Sequence, residues 1–307
     1  MIQATLHQLR VFQTVARHGS FTKAAEELFI TQPTVSAQVK QLAQAVGMPL
    51  FEQIGKQLYL TDVGRELLAT SQEVFEQLDR FEMIVADIKG TKQGQLRLAV
   101  VTTAKYFVPR MLGYFCQQYP GVDISLEVTN HQNIIRRMLE NQDDLYILSE
   151  PPQDIGLHSE PLMDNPLVLV ANKNHPLAGK TKIPIKSLNN EAFIMREPGS
   201  GTRQAVQKLF AKHKVSVRVR LELGSNEAIK QAIAGGLGVS VLSKHTLYCK
   251  SHEWDLTILD IEGLPIQRQW YVSYLQGKQL SVVAQAFLEY LQTHTKKMKI
   301  NSTVLSK

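Results

Sequence analysis

Apolar residues near the start of the chain recur at the spacing of an amphipathic helix. One face carries Leu6, Leu9, Val11, Phe12 and Val15, which predicts a first helix over residues 6–16. The next residues, "RHGS", end that helix, and Ser20 can cap a second helix that runs to about Ile30. Thr31 can cap a third helix, because Pro33 is tolerated in a first turn, where backbone N–H groups lack partners within the helix. The chain is therefore predicted to open with three short helices.

The third helix has two faces of different character. Its inner face carries Val35, Val39 and Leu42. At 100° per residue, the opposite face carries Pro33, Thr34, Ala37, Lys40 and Gln41, with Gln32 and Ser36 at its margins. Short polar side chains let a helix approach the floor of the DNA major groove, where they reach base edges and methyl groups. The pattern alone also fits a plain helical hairpin that packs against another element.

Two short apolar runs follow, in "LFEQIGKQLYLT", on either side of a Gly55-Lys56 turn. This pattern predicts a small β-hairpin, or wing. Lys40 and Lys56 are suited to DNA phosphates rather than bases. Removing one of them should lower affinity for all sequences and flatten the salt dependence of binding.

A long helix is predicted from Val63 to about Lys89, since no helix-breaking residue follows Gly64. Apolar residues and one serine recur there at alternating spacings of four and three, at Leu67, Ser71, Val74, Leu78, Phe81, Val85 and Ile88. At ~1.5 Å per residue the helix would span about 40 Å, more than one small domain covers. We interpret the seam as a dimerising coiled coil, because its period is closer to 3.5 than to 3.6 residues. The alternative is an ordinary long surface helix.

Beyond the linker "KGTKQG", strand-like and helix-like patterns alternate. The sequence reads as strand, helix, strand, helix and strand through "QLRLAVV", "FVPRMLGYFCQQYP", "DISLEVT", "NIIRRMLENQ" and "DLYILS", and continues in this way to a closing helix in "SVVAQAFLEYLQTHTKK". This alternation predicts a parallel sheet with covering helices. Its length suggests two similar α/β lobes, with the chain crossing between them near Pro161 and Ile266.

Composition indicates a globular protein of 307 residues, 44% of them hydrophobic and 20% charged. No apolar stretch approaches the ~20 residues of a membrane span, and we expect a cytoplasmic protein without a membrane partner. Cys116 and Cys249 are too few for a disulfide framework or a cysteine-based zinc site. The net charge of +6 lies mostly outside the opening helices, since residues 1–60 carry five Lys/Arg against three Asp/Glu. Charge therefore does not locate a DNA-binding surface.

The first 63 residues resemble the winged helix-turn-helix of LysR-type transcriptional regulators. The motifs that carry the resemblance are "LHQLRVFQTVARHGSFTKAAEELFITQPTVSAQVKQL", "GMPLFEQ" and "LTDVGRELL". Further along, "NKNHPLAG", "REPGSGTR" and "AIAGGLGVSVL" are similar to the effector-domain motifs of the family. Within the family, "VVTTAKYFVPRMLGYF" and "DDLYILSEPP" resemble the carbon-assimilation regulators of cyanobacteria and plastids, which include activators of bicarbonate-transporter operons and regulators of RuBisCO operons.

The resemblance implies an α/β protein with three parts. These would be an all-α winged helix-turn-helix at 1–63, a dimerising linker helix at 64–92, and an effector domain of the type 2 periplasmic-binding-protein kind at 93–307. Its lobe I would comprise 93–161 and 267–300, and its lobe II 162–266. The implied assembly is a homotetramer, a dimer of dimers, on double-stranded promoter DNA, with RNA polymerase as a further partner. It would activate inorganic-carbon uptake or fixation genes in response to a phosphorylated carbon metabolite such as 2-phosphoglycolate or ribulose 1,5-bisphosphate.

Candidate DNA contacts follow from the third helix and the wing: Thr31, Gln32, Pro33, Thr34, Ser36, Ala37, Lys40 and Lys56. Two positions depart from the family pattern. Ala37 stands where many relatives carry a longer side chain such as Arg, and Gln53 stands where a wing Arg is common. Both departures shift the expected specificity toward DNA shape and the spacing of paired half-sites.

A small-molecule site is expected in the cleft between the lobes, where strand ends and helix N-termini converge. The candidates are hydroxyl, amide and guanidinium groups suited to an anion: Thr102, Thr103, Thr129, Asn130, Ser200, Thr202 and Arg203. We expect Arg203 to provide the positive charge. The alternative is that the Ser and Thr residues only cap helices and that "PGSG" is only a turn.

The sequence also bears on other functions. An enzyme needs a nucleophile, an acid–base pair or a metal cluster, and none occurs at a meaningful spacing, so neither a catalytic residue nor a metal site is predicted. Asp143 and Asp144 form an adjacent acidic pair near a strand end, which an exposed turn would explain. A solute-binding protein would not need the N-terminal helices. A regulator of another operon with a different effector, or a repressor without a ligand, remains open.

Overall fold

The computed structural model describes residues 3–55, 57–88, 93–247 and 255–304. Lys56 and Cys249 lie outside these residues. The chain divides into two compact units, Met1–Val85 and Ala86–Lys307, called unit 1 and unit 2 below. None of the helices within the described ranges has the length and apolar character that crossing a lipid bilayer requires.

Unit 1 contains the predicted short helices and hairpin. The helices are α1 (Leu6–His18), α2 (Phe21–Leu28) and α3 (Gln32–Val46), and the antiparallel strands are β1 (Phe51–Ile54) and β2 (Gln57–Leu60). The hydroxyls of Ser20 and Thr31 accept hydrogen bonds from backbone N–H groups in the first turns of α2 and α3. These caps satisfy donors that a helix start otherwise leaves unpaired. The three-helix and wing predictions are thus confirmed.

The core of unit 1 consists of the inner faces of its helices and the base of the wing. One cluster joins all three helices through Val11, Val15, Ala24, Ala25, Val35 and Val39, and a second contains Phe12, Leu42 and Leu50. Each buried side chain of this size stabilises the fold by roughly 1.5–3 kcal/mol. The packing leaves the opposite face of α3 in solvent.

The long helix α4 (Asp62–Ile88) is present, but its predicted seam has two parts. Leu67 packs beside the second core cluster, and Ser71 is buried, with its hydroxyl accepting a hydrogen bond from the Gln13 amide at 3.0 Å. Val74, Leu78 and Phe81 are exposed, Phe81 at 63% of its surface. The start of the seam therefore belongs to the core of its own domain, and only the later part is available to a partner.

Unit 2 is built from ten strands and five helices within the described residues. The strands are β3 (Gln93–Val101), β4 (Gly121–Thr129), β5 (Leu145–Leu148), β6 (Leu157–Asp164), β7 (Leu167–Asn172), β8 (Ala192–Arg196), β9 (Arg218–Leu223), β10 (Ser240–Ser243), β11 (Leu256–Leu259) and β12 (Gln269–Leu275). The helices are α5 (Val108–Gln118), α6 (His131–Leu139), α7 (Gly201–His213), α8 (Asn226–Ala234) and α9 (Val282–Val304). Most of these elements follow the predicted alternation, whereas β6 and β11 were not predicted.

The strands form two lobes. Lobe I holds a five-stranded sheet in the order β4-β3-β5-β12-β6, with α5, α6 and α9 packed on it. Lobe II holds the sheets β10-β7-β11 and β8-β9, joined by a bridge between Phe193 and Val239, with α7 and α8. The prediction of a parallel sheet was only partly right. β3 pairs parallel with β4 and β5, and β8 with β9, but β12 runs antiparallel to β5 and β6, as do β10 and β11 to β7. The antiparallel pairs arise where the chain leaves one lobe and returns.

Two short crossings connect the lobes. β6 stays in the lobe I sheet to Asp164 and β7 begins lobe II at Leu167, so the first crossing lies a few residues after the predicted Pro161. The return lies between Ile266, which bridges to Leu167 in lobe II, and β12 in lobe I, as expected. The residues of the two crossings, and the ends of β6 and β12 that adjoin them, therefore lie beside the cleft.

The acidic pair at the start of β5 is not an exposed turn. Asp143 is buried, and its carboxylate accepts two hydrogen bonds from Arg137, at 2.8 and 2.9 Å. Asp144 accepts from the Arg97 backbone N–H at 2.8 Å, and burial raises the pKa of its carboxyl. Both carboxylates are thus held in contacts that stabilise lobe I.

Candidate functional site

The outward face of α3 is a continuous exposed surface. It presents Gln32, Pro33, Thr34, Ser36, Ala37 and Lys40, and the cap residue Thr31 is exposed beside them. The hydroxyls of Thr31 and Thr34 lie 2.8 Å apart and share a hydrogen bond, which ties both to the helix start. The predicted face is therefore placed as major-groove binding requires. The contact of each residue with DNA stays a prediction.

The wing differs from α3 in how its polar residues are used. Gln53 is exposed, and its amide nitrogen donates to the Gly55 carbonyl at 3.1 Å, within the hairpin. This local hydrogen bond turns the Gln53 amide toward the wing itself. It supports the expectation that few long side chains of unit 1 reach bases directly.

Unit 2 contains a polar cavity between lobe I and lobe II. Lobe I and the crossings contribute Val101, Thr102, Thr103, Asn130, His131, Ser149 and Arg268, and lobe II contributes Arg196, Ser200, Gly201 and Thr202. The space is about 310 Å³, counted with its open mouth. Hydroxyl, amide and guanidinium donors dominate its walls, and the described residues that line it include no carboxylate. The cavity is thus suited to a small anion.

Two helices begin at this cavity. Asn130 caps α6, its side-chain oxygen accepting from the Asn133 N–H at 3.0 Å, and Ser200 caps α7, accepting from the Arg203 N–H at 3.5 Å. A helix N-terminus carries a partial positive charge and backbone N–H groups without helical partners. Two such termini at one cavity favour a negatively charged ligand.

Arg268 provides a buried cation with unused donors. Its side chain is 6% exposed, and Nη1 donates to the Gly201 carbonyl at 3.0 Å. Nη2 lies 3.3 Å from Glu150 Oε1, at ion-pair distance but without hydrogen-bond geometry, and neither Nη2 nor Nε has a hydrogen-bond partner among the described residues. Burial lowers the pKa of Arg268, with Glu150 opposing the shift. An anion in the cavity would compensate this desolvated charge.

Arg196 is the second cation of the cavity, and it is fully engaged. It lies at the end of β8 with a side chain 3% exposed, and it donates two hydrogen bonds to Glu197, at 2.7 and 2.9 Å. It also donates to Asn226 at 2.8 Å and to the Thr102 hydroxyl, across the cleft, at 3.0 Å. Arg196 therefore orients lobe II against Thr102, and its charge is largely neutralised by Glu197.

An aromatic pair lies behind Thr103, one of the residues that line the cavity. Trp270 is buried on β12, and its indole N–H donates to the Thr103 hydroxyl at 3.3 Å. The ring of His245 packs edge-on against Trp270, with centroids 4.8 Å apart. The indole of Trp270 thus holds Thr103 in place, and Thr103 lies between Trp270 and the cavity.

The structure groups most of the predicted effector residues, but not all of them. Thr102, Thr103, Asn130, Ser200 and Thr202 line the cavity. Thr129 does not line it, and its hydroxyl accepts from the Asn133 amide at 2.9 Å.

Arg203 is misplaced by the prediction. Its Nη1 donates to the Arg196 carbonyl at 2.8 Å and to the Glu222 carboxylate, which directs the side chain away from the cavity. Arg203 follows Thr202 in α7, and one residue along a helix turns the side chain by about 100° from the direction that Thr202 takes.

Sequence reasoning missed the two arginines of the cavity, together with His131 and Ser149. Arg196 ends a buried apolar strand and is the first residue of the motif "REPGSGTR", from which only later residues were predicted as ligand contacts. Arg268 lies in a crossing, a position without a local motif. The predicted crossing near Ile266 was the available signal for Arg268, since residues beside a crossing necessarily lie near the cleft. His131 follows the predicted cap Asn130, and its ring nitrogen donates to the Glu150 carbonyl at 2.8 Å.

A winged helix-turn-helix and a two-lobed domain with an anion cavity define the class of transcription regulators that respond to a small ligand. Comparison with known proteins identifies the family. Residues 6–65 match the bacterial regulatory helix-turn-helix of the lysR family, and residues 89–296 match the LysR substrate binding domain. The chain belongs to the LysR family of DNA-binding transcriptional regulators.

The chain is similar over nearly its whole length to transcriptional regulators, among them regulators of the RuBisCO operon. The transcriptional activator CmpR of Synechocystis is 51% identical over 98% of this chain and 99% of its own length. A RuBisCO operon transcriptional regulator of Acidithiobacillus ferrooxidans is 48% identical over 94% of this chain and 93% of its own. Among solved structures, the regulatory domain of Synechocystis CcmR in complex with 2-PG is 66% identical, with a TM-score of 0.66, and covers 67% of this chain and 99% of that one.

Proposed function

We propose that the protein activates inorganic-carbon uptake or fixation genes in the cytoplasm when 2-phosphoglycolate binds in the cavity of unit 2. The observation that carries the proposal is Arg268, a buried guanidinium with two donor atoms that lack hydrogen-bond partners among the described residues. A phosphate or carboxylate accepts such donors in a fork, and this supplies both charge and geometry.

The donor groups around the cavity favour a ligand whose two anionic groups lie close together. The cavity measures about 310 Å³ with its mouth included, and both helix N-termini and Arg268 face it. 2-Phosphoglycolate carries one phosphate and one carboxylate on two carbons. Ribulose 1,5-bisphosphate carries two phosphates on five carbons, so we expect it to bind more weakly. The complex of the 66% identical CcmR domain with 2-PG supports this choice.

DNA binding in the proposal depends on pairing. The exposed stripe of Val74, Leu78 and Phe81 on α4 would pack against the same helix of a second copy, and two such dimers would form a homotetramer. Pairing presents two α3 helices to half-sites about one helical turn apart. The ligand must bind one lobe arrangement better than another to change how this assembly holds DNA.

Isothermal titration of the full-length protein with 2-phosphoglycolate tests the ligand, alongside ribulose 1,5-bisphosphate, glycolate and inorganic phosphate. Arg268→Gln should weaken 2-phosphoglycolate binding roughly 10- to 100-fold, as for a lost charged hydrogen bond. Arg203→Gln is the matched control, because Arg203 faces Glu222 instead of the cavity, and it should bind as the unsubstituted protein does. Equal losses in both variants would contradict the assignment of Arg268.

A footprint on carbon-uptake promoters, with and without the same ligands, tests the regulatory role. We expect 2-phosphoglycolate to change the protected region. A footprint that no ligand alters would favour a repressor without a ligand, and one altered only by another metabolite would favour regulation of a different operon.

A further inference from the structure

A polar cluster bridges the two lobes beside the anion cavity. Lys105 and Tyr106 lie in a short 3₁₀ turn of lobe I (Ala104–Tyr106), and Glu227 lies in the first turn of α8 in lobe II. Lys105 Nζ donates to Glu227 Oε2 at 2.7 Å, and the Tyr106 hydroxyl donates to Glu227 Oε1. Lys105, Tyr106 and Glu227 are called the clamp below.

The clamp is anchored within lobe II and has a second contact across the cleft. On lobe II, the buried amine of Lys230 lies 3.9 Å from Glu227 Oε1 and donates to the Thr246 carbonyl at 3.0 Å. The same amine lies 5.6 Å from the centre of the Tyr106 ring, a cation–π distance that adds a second contact across the cleft. Burial alone would raise the pKa of Glu227, but the hydrogen bonds from Lys105 and Tyr106 outweigh it and lower the pKa to about 2. Glu227 is therefore ionised at neutral pH.

The clamp is directly connected to both walls of the cavity. Lys105 and Tyr106 lie two and three residues after Thr103, which lines the cavity. Glu227 follows Asn226, whose side-chain oxygen accepts from Arg196 at 2.8 Å, and Arg196 in turn donates to Thr102. A change in the distance between the lobes at the clamp would thus move Thr103 relative to Arg196.

We propose that Lys105, Tyr106 and Glu227 are positioning residues that hold the two lobes in the arrangement in which both walls of the anion cavity face one ligand. The clamp carries no ligand contact of its own. Its contribution to affinity comes from populating the competent arrangement before the ligand arrives, since the apparent dissociation constant rises as that population falls. This inference uses 2-phosphoglycolate as its probe and so builds on the proposed function.

Charge alone would produce a different pattern of mutant effects. Glu227 is an anion near a site for anions, so Glu227→Gln would tighten 2-phosphoglycolate binding if only long-range electrostatics mattered, and Lys105→Gln would weaken it. Tyr106→Phe would change nothing. For the clamp, all three substitutions break the same bridge and should weaken binding.

The test is titration of full-length variants with 2-phosphoglycolate. We expect Glu227→Gln, Lys105→Gln and Tyr106→Phe each to weaken binding about 3- to 10-fold, the range for partly exposed charged hydrogen bonds. The double variant Lys105→Gln/Glu227→Gln should lose much less than the product of the single losses, since one bridge is removed twice. Glu222→Gln is the control, because its partner Arg203 lies in the same lobe, and affinity should stay within about twofold.

A second arm needs no ligand. Hydrogen exchange of the full-length protein should speed up at the start of α8 and in the 104–106 turn of each clamp variant, but not of Glu222→Gln. Tyr106→Phe keeps every charge and should fold even if Glu227→Gln does not, because Lys230 stays compensated. Tighter binding by Glu227→Gln, or unchanged exchange and affinity in Tyr106→Phe, would overturn the inference. If the unsubstituted protein fails to bind 2-phosphoglycolate while exchange responds as expected, the proposed ligand is wrong and the clamp stands.

Discussion

His245 is a titratable residue whose environment in the fold makes the stability of unit 2 depend on pH. Its ring nitrogen donates to the Asp164 carbonyl at 2.9 Å, and the ring packs on Trp270. Burial lowers the pKa of His245, the hydrogen bond to Asp164 opposes the shift, and the charge of Lys244 adds to it. Because the folded protein holds this imidazole neutral, the unfolded chain takes up its proton first as the pH falls.

We therefore predict that unit 2 loses stability as the pH drops below about 6.5, the ordinary value for histidine. The contribution is fully present above that pH and declines between it and the lower pKa of the folded state. Urea unfolding followed by tryptophan fluorescence isolates unit 2, since both tryptophans of the chain, Trp254 and Trp270, belong to it. His245→Gln should flatten the profile, whereas His158→Gln, an exposed position, should not.

Gly64 is required by a close backbone approach. A Cβ at this position would lie 2.1 Å from the Leu50 carbonyl oxygen and 3.0 Å from Leu60 Cδ2, so the start of α4 would have to move away from the wing. We predict that Gly64→Ala lowers the free energy of unfolding of unit 1 by about 2 kcal/mol or more, as for other overpacked positions.

The control for Gly64 is Gly113 in α5, where an added Cβ meets nothing within 4 Å. Gly113→Ala should stabilise unit 2 by up to about 1 kcal/mol, through a smaller loss of backbone entropy on folding. Denaturant unfolding followed by circular dichroism measures both changes. A Gly64→Ala protein as stable as the unsubstituted one would show that the approach of Leu50 to α4 relaxes easily.

Single residues differ in how far sequence patterns could locate them. Asn130 and Ser200 could be placed at the cavity from sequence because helix caps leave a local signature of a small polar residue before an apolar run. Arg268 leaves none, since its role depends on the two lobes meeting around it. Arg203 was expected to face the cavity, but its side chain contacts Glu222. Side-chain direction changes by 100° per helical residue, so the sequence placed Arg203 near the cavity without showing where its side chain points.

Among the elements, α3 and α4 were the most predictable, because caps and a helical period agree over many residues. β6 was missed because polar residues interrupt its apolar pattern, and β11 because it is only four residues long. Strand direction in the sheets depends on crossings that no local pattern records. The α4 seam was predicted to face a second copy along its whole length, yet Ser71 is buried and bonded to Gln13 of its own unit. Periodicity locates the buried stripe of a helix but does not say which chain covers it.

Substitutions on the exposed face of α3 should distinguish residues that contact DNA phosphates from residues that contact bases. Lys40 and Gln32 are both exposed on the same face. Lys40→Ala should weaken binding to specific and random DNA by the same factor and reduce the slope of log affinity against log salt by about 0.9. Gln32→Ala should leave that slope unchanged and relax the preference at one base pair. Electrophoretic or fluorescence titrations at several salt concentrations measure both, and a sequence-dependent loss in Lys40→Ala would assign it to bases instead.

At the scale of the whole molecule, the low positive charge of unit 1 explains why DNA binding would need two paired copies. Met1–Val85 contain seven Lys/Arg against nine Asp/Glu, so the unit that carries the helix-turn-helix has a net charge of −2, whereas the rest of the chain carries +8. A single winged unit with few cations and a short-chained α3 should bind DNA weakly. Linking two such units makes the second contact intramolecular and raises the overall affinity without any new base contact.

The exposed stripe on α4 is where this argument can be tested. Leu78→Glu places a charge in the proposed helix pair, and Gln77→Glu adds the same charge at an exposed position outside the seam. We predict that Leu78→Glu shifts sedimentation equilibrium toward smaller species and lowers affinity for a paired site by roughly 100-fold or more, the scale of lost multivalency. Affinity for an isolated half-site should change little, because α3 is untouched. If Leu78→Glu and Gln77→Glu behave alike on the paired site, α4 does not join the DNA-binding units, and specificity must come from contacts of α3 and the wing within one copy.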